Sequence, residues 1–397
     1  MRFSVTVCHE SCGWVSGKTQ IVWVTLTSGF ALGISRHILP VIYPGMQATL
    51  EMGYAQLGLL TSAYFFPYMI FSLIGGHLSD KVSSRPIISL GCLICAVGTL
   101  GMGFSNGFAS FFAFSLITGI GAGGLYVPMI SYILKWLKPK KGLMVSMVLV
   151  GEGIFGISIG LIIPLVVFSY SWRHIWWSFG FLLFAFTIFL WRSIHDAHPV
   201  PNLSLPQNNK ATHFLQVLGL PKIWSLGFIY FLHALTRGLF VTFSVTYLVS
   251  RGTPYARASG AYSFLAVGFI PGAILSGFLS DRLKQKFLLM GLLILQIVSV
   301  GSLLLNPNWL LICVLFASVG LCLTGIPTVI GVLPSQYFRE EMYGKSLGFL
   351  TLMLGLGSTI SPIIGGYLGD LTNSLGLPLF LGVVTSCFAL GLASLKL

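Results

Sequence analysis

The sequence predicts an all-α membrane protein with twelve transmembrane helices in two pseudo-symmetric six-helix halves. Three observations lead there. Of the 397 residues 55% are apolar and only 8% are charged, too few to cover a fold of this size with a water-compatible surface, so lipid must solvate it. The apolar runs between charged turns are about 20 to 27 residues long, which at a helical rise of about 1.5 Å matches a hydrocarbon core of about 30 Å. Finally, the stretch Gly76-His77-Leu78-Ser79-Asp80-Lys81-Val82-Ser83-Ser84-Arg85 returns as Gly277-Phe278-Leu279-Ser280-Asp281-Arg282-Leu283-Lys284-Gln285-Lys286, 201 residues later.

The same offset joins Arg36 to Arg237 and Gly119 to Gly320, and an offset of 202 joins Gly142 to Gly344 and Gly153 to Gly355. One inserted residue accounts for the change. A period this long is a duplicated half-molecule and not a solenoid repeat.

Taken in order, residues 1–19 form a polar tail, and the run after it is too long for the apolar core of a signal peptide, so it reads as the first span. Helices are expected over 20–44, 56–78, 86–105, 109–134, 143–169 and 172–194, which make the first bundle (20–194). The segment 195–222 carries Pro199, Pro201, Pro206, Asn202, Asn208 and Asn209 and reads as a linker. The second bundle (223–397) repeats the pattern over 223–249, 257–279, 287–305, 309–333, 344–369 and 376–395. Each charged copy of the repeated stretch is expected as a short turn between two spans.

The formal charge of +13 would suggest nucleic acid in a soluble chain. Here the cations are sorted by turn: with the N-terminus in the cytoplasm, 17 Lys and Arg fall on that side and three, Arg173, Arg251 and Arg257, on the other. This is the positive-inside pattern, so both termini are expected in the cytoplasm, the short loops suit a bacterial inner membrane, and no nucleic-acid partner is implied. A monomer in the lipid bilayer is expected. Cys92, Cys95, Cys313, Cys322 and Cys387 lie in apolar runs and are expected to pack as small hydrophobes. Cys8, His9 and Cys12 have the chemistry of a metal site, but an unstructured tail explains them better, so no metal and no cofactor are expected. No zinc, P-loop, nucleophile-elbow or paired-carboxylate motif appears, and an enzyme is not expected. Gly and Pro recur inside the spans, as Gly119, Gly121, Gly123, Gly124 and Pro128 or Gly355, Gly357, Pro362, Gly365 and Gly366, which suits helices that pack closely and move.

Twelve spans, a central linker and two turns of the form G-x-L-S-D-[KR] resemble the major facilitator superfamily, whose signature turn joins the second and third helices and recurs between the eighth and ninth. The resemblance covers the whole chain. It implies that Gly76, Asp80 and Arg85, with Gly277, Asp281 and Arg282, form a conformational latch: the Gly lets helices approach, and the charged residues hold one of the alternating states. The stretch from Tyr126 to Arg173 is similar to members that carry organic anions.

An arginine at mid-span costs about 2.5–3.5 kcal/mol on insertion scales, so Arg36 and Arg237, each on the first helix of its half, are expected to face a shared central site. The acids expected within spans are Glu152, deep in the fifth, and Asp370, at the end of the eleventh. Two deep cations therefore share one deep carboxylate, and an anionic substrate is the natural missing partner, because a guanidinium presents paired donors to a carboxylate or phosphate. Glu152 neutralising one arginine while the other snorkels to an interface is the alternative.

His233 lies one turn before Arg237, on the same face, whereas His37 points about 100° away from Arg36. Glu152 and His233 are the candidates for a coupling proton; a His233 that merely bonds a neighbouring helix accounts for it equally well. Tyr64, Tyr126 and Tyr262 are candidates to line the pathway and bind substrate, together with Tyr43, Tyr68 and Tyr247.

The expected function is secondary active transport of a small organic anion, a carboxylate or a phosphate ester, by alternating access, with proton symport or exchange. Paired arginines on the leading helices are similar to the superfamily's organophosphate exchangers, but no Lys lies in the second span and Glu152 replaces a His on the fifth, so a carboxylate is equally open. An efflux pump for cationic or hydrophobic compounds is the rival within transport, and a non-transporting membrane sensor with a transporter fold is the rival from another class.

Overall fold

The computed structural model describes residues 17–81, 83–136, 141–194, 218–337 and 340–396. Lipid cannot satisfy backbone hydrogen bonds, so every span must close its own, and the described residues form helices joined by short turns. They are α1 (Gly17–Leu50), α2 (Tyr54–Lys81), α3 (Ser84–Gly103), α4 (Phe108–Trp136), α5 (Lys141–Ser169) and α6 (Trp172–Ser193). After the linker come α7 (Pro221–Ser250), α8 (Tyr255–Ser280), α9 (Gln285–Leu303), α10 (Trp309–Val332), α11 (Glu340–Thr372) and α12 (Gly376–Lys396), with one helical turn, Pro334–Tyr337, before α11. Among the described residues, eleven helical stretches are long and apolar enough to cross a membrane.

The helices outrun the apolar stretches that predict them. α1 continues through Pro40 and Pro44 to Leu50, because a proline inside a span costs little where neighbouring helices satisfy the freed backbone groups. The first copy of the repeated stretch is not a turn throughout: Gly76–Lys81 remain helical and end α2, while the second copy leaves α8 at Ser280.

The two halves pack alike. In the first, α2 packs on α4, α3 on α4 and α6, and α1 on α5; in the second, α8 packs on α10, α9 on α10 and α12, and α7 on α11. The correspondence reaches single atoms. A Cβ added to Gly119 would lie 2.2 Å from the carbonyl oxygen of Tyr64, and one added to Gly320 would lie 1.9 Å from that of Leu265, the residue 201 places on. Both glycines are therefore required by the closeness of the helices. The turns after α1 and α7 likewise hold left-handed residues 201 apart, Glu51 (φ 49°) and Gly252 (φ 86°).

The halves meet through α2 with α11, α5 with α8, and α1 with α7. Exchanging the halves maps the first two contacts onto each other and the third onto itself, which is what a two-fold axis between them requires. The α2–α11 seam is stitched by polar groups. Ser62 Oγ donates to the Thr359 carbonyl (2.6 Å), and the Asp370 carboxylate accepts from the Tyr54 and Ala55 amides (2.6 and 2.9 Å), capping α2 from the other half. Across the α5–α8 seam Ser263 Oγ donates to the Ile157 carbonyl (2.7 Å). These contacts lie toward the end of the molecule that carries the α1–α2, α7–α8 and α11–α12 turns, the closed end. One buried apolar cluster runs through the first half and into the closed-end part of the second, where Phe240, Phe243, Tyr262 and Leu265 join it. A separate cluster, including Ile223, Leu226, Leu289, Val329 and Phe349, fills the other end of the second half alone.

Gly58 fixes how closely this seam shuts, since a Cβ there would lie 2.0 Å from the Pro362 carbonyl oxygen. Gly58→Val is expected to hold the closed end apart. Spin labels at Glu51 and Asn373, on either side of the seam, should give a longer distance by double electron–electron resonance than in the parent; an unchanged distance would mean that the seam does not set closure.

Candidate functional site: a charged cavity between the halves

α1 and α7 stand next to the axis, so Arg36 and Arg237 both reach the space between the halves. That space is lined by Arg36, His37, Phe65, Arg237, Gly238, Val241, Thr242, Phe269 and Ser358, and it is narrow, about 10 Å³, room for about one water. Anything larger enters only when the helices part.

Glu152 on α5 is shared by two neighbours on α1. Its Oε1 lies 3.2 Å from Arg36 Nη1 and 3.1 Å from His37 Nε2, and its Oε2 lies 3.4 Å from Arg36 Nη1. A carboxylate only accepts, so His37 donates through Nε2, and in the neutral ring Nδ1 accepts from the Tyr262 hydroxyl on α8, 2.8 Å away. A continuous chain thus crosses from one half to the other: Arg36, Glu152, His37, Tyr262. The Arg36 and Glu152 side chains are 10% and 4% exposed, which makes theirs a buried pair whose members depend on each other. The Arg36 guanidinium also lies over the Tyr68 ring at 4.6 Å and the Tyr126 ring at 5.5 Å, where cation–π attraction adds to its support.

Arg237 has no such partner. Among the described residues it makes no hydrogen bond and no ion pair, although it lines the cavity. The duplication explains why: the offset of 202 that links Gly153 to Gly355 carries Glu152 to Leu354, and the offset of 201 carries His37 to Gly238. The second half keeps the cation and lacks its counter-ion.

Tyr126 and Tyr262 therefore stand at the site, and Tyr64 bonds Ser35 through its hydroxyl (3.2 Å) while stacking on Tyr68. His233 is turned elsewhere. Its Nδ1 bonds Gln296 of α9 at 2.9 Å, in a buried polar cluster where Gln296 also donates to Ser386 (2.8 Å) and Thr236 meets Thr385 and Ser386. It does not line the cavity. Sequence reasoning missed His37 as a member of the site, and with it Phe65, Val241, Thr242, Phe269 and Ser358, whose residue types carry no charge signal.

Of the latch residues, Gly76 packs against α4, since a Cβ there would lie 2.9 Å from Val127 Cγ1, whereas Gly277 has open space beside it. Arg85 lies over Trp191 (4.5 Å) and Arg282 over Phe278 (4.0 Å). Asp281 is exposed and makes no ion pair among the described residues. The side chain of Asp80 lies outside the described part of the structure, as do Cys8, His9, Cys12 and residues 195–217 of the linker. Cys92 and Cys95 are buried and free, and their thiols face the Leu183 and Thr118 carbonyls.

Twelve helices in two-fold related halves around a charged, buried gap define a multi-pass membrane transport protein. The family model described as Major Facilitator Superfamily matches residues 25–305 and 226–397, and the chain belongs to that superfamily. It is 22% identical over 375 residues to the benzoate transport protein of Acinetobacter baylyi, covering 83% of this chain and 80% of that one. It is 24% identical to the membrane sensor protein UhpC of Salmonella typhimurium, covering 86% and 83%. Among solved structures, a bacterial homologue of the human lysosomal transporter Spinster superposes with a TM-score of 0.79 at 16% identity, over 96% of this chain and 98% of that one.

Removing the shared carboxylate should expose how far Arg36 relies on it. Glu152→Ala leaves a buried guanidinium without its ion-pair partner, and breaking a buried pair in this way costs about 3–5 kcal/mol. Thermal unfolding in detergent is expected to show a large fall for Glu152→Ala and a smaller one for the double variant Arg36→Ala/Glu152→Ala.

Proposed function

We propose that the protein carries a small organic anion across the membrane by alternating access, with Arg237 as the group that binds the anion's charge. One observation carries this reading: a guanidinium lines the gap between the halves with no ion-pair partner among the described residues, while the matching arginine of the other half is neutralised by Glu152. Arg36 with Tyr126 and Tyr68 forms the facing wall. Tyr64 and Tyr262 orient α1 through Ser35 and His37, and His233 braces α7 against α9. Glu152, held by both Arg36 and His37, is the group on which a coupling proton would act, in symport; exchange of anions would leave it ionised throughout. Gly76, Asp80 and Arg85, with Gly277, Asp281 and Arg282, bias which end is open. The sorting of Lys and Arg by turn supports an inner-membrane protein with both termini in the cytoplasm, which makes the closed end the outer one.

Uptake and counterflow of labelled carboxylates and phosphate esters in proteoliposomes test the reading. Arg237→Gln is expected to abolish anion movement while the purified protein keeps its melting temperature, and an imposed pH gradient should drive uptake only in symport. Normal transport by Arg237→Gln would remove that arginine from the site, and transport of cationic dyes alone would replace the anion reading with an efflux pump. The similarity to a membrane sensor raises a second reading, a receptor that binds its anion without moving it. Binding without counterflow in the same preparation would select that one.

A further inference from the structure

The gap between the halves also limits what kind of anion fits, if Arg237 binds one as proposed above. Two features of the site are independent of each other. The first is its charge. With Glu152 ionised and the His37 ring neutral, in the arrangement in which Nε2 donates to Glu152 and Nδ1 accepts from Tyr262, Arg36, Glu152 and Arg237 leave one net positive charge, which sits on Arg237. In a medium that stabilises charge poorly, a site of this kind neutralises a singly charged anion and leaves a second negative charge uncompensated. The second feature is the wall. Phe65 on α2, Val241 on α7 and Phe269 on α8 supply flat or branched apolar surface from both halves. The polar uncharged groups in the lining are the His37 ring, whose two nitrogens are taken by Glu152 and Tyr262, and two hydroxyls, Thr242 and Ser358. Tyr68 and Tyr126 lie against the Arg36 guanidinium, and Thr242 Oγ1 is buried with no hydrogen-bond partner. Among the described residues no Asn, Gln or Asp lines the gap, and Glu152 is already committed on both oxygens. A polyhydroxylated substrate would find few donors and acceptors here, and each unmatched hydroxyl would be desolvated at a cost.

We propose that the substrate is a monovalent carboxylate with an aromatic or similarly flat apolar body. Its carboxylate meets the Arg237 guanidinium through paired donors, its ring lies between Phe65 and Phe269, and Thr242 has a hydroxyl free for a single polar substituent. Glu152 sets the valence, since its negative charge is what holds the site at one net positive charge.

Isothermal titration calorimetry on the full-length protein in detergent tests this with four probes: benzoate, phthalate as an aromatic dianion, glucuronate as a polyhydroxylated monoanion, and glycerol 3-phosphate. Benzoate is expected to bind at least tenfold more tightly than the other three, Phe269→Ala to lose most of that preference, and Glu152→Gln to shift preference toward phthalate. Tighter binding of glucuronate would overturn the apolar body, and tighter binding of phthalate or glycerol 3-phosphate to the parent protein would overturn the single charge. In both cases the anion reading itself survives. Binding of a cationic dye with no binding of any of the four would remove the anion reading and this inference together. If Glu152→Gln does not fold, the ranking by the parent protein and by Phe269→Ala still decides.

Discussion

A guanidinium in the middle of a bilayer must be given a partner, and much of the central architecture follows from how this chain provides one. Arg36 is held by a carboxylate from α5 and two tyrosine rings from α2 and α4, so three helices of the first half are positioned around a single charge. His37 extends the same carboxylate to Tyr262, and the network thereby crosses into the second half. Breaking it on one side leaves an uncompensated charge on the other, which ties the relative placement of the halves to electrostatics as well as to apolar packing.

The duplication makes the asymmetry meaningful. Gly119 and Gly320 meet matching carbonyls, and the helix pairs of one half are those of the other, so the packing frame is kept. What differs is the chemistry at the axis, where Glu152 becomes Leu354 and His37 becomes Gly238. Gly238 is itself closely packed, since a Cβ there would lie 1.9 Å from Ser361 Oγ. The second half has the cation without the counter-ion or the histidine, and the corresponding positions carry an aliphatic side chain and a tight helix contact.

The fold was legible because lipid leaves only one way to satisfy the backbone, and long apolar runs follow from that. Helix ends were less so: Lys81 and Glu340 remain helical although they are charged, and Pro40 and Pro44 do not stop α1. Arg36, Arg237 and Glu152 stood out by the cost of placing charge in a membrane. Which arginine Glu152 would take depends on α1 lying beside α5, a contact that no local pattern encodes. The angular rule set His37 about 100° from Arg36, yet Glu152 sits between the two directions and both reach it. His233 illustrates the reverse: one turn from Arg237, it has Gln296 on the other side of a helix that faces a cavity and a neighbour at once. The aromatic and hydroxyl lining was illegible because such residues are common on every packed helix.

The cap on α2 gives the molecule a built-in indicator of its own state. The amides of Tyr54 and Ala55 are satisfied by Asp370 from the opposite half, so the first turn of α2 is complete only while the halves touch there. Helix amides normally exchange with solvent according to local fraying. These two are instead protected by a group that leaves with the other half, so their exchange rate would follow the equilibrium between shut and open without any label attached to the protein.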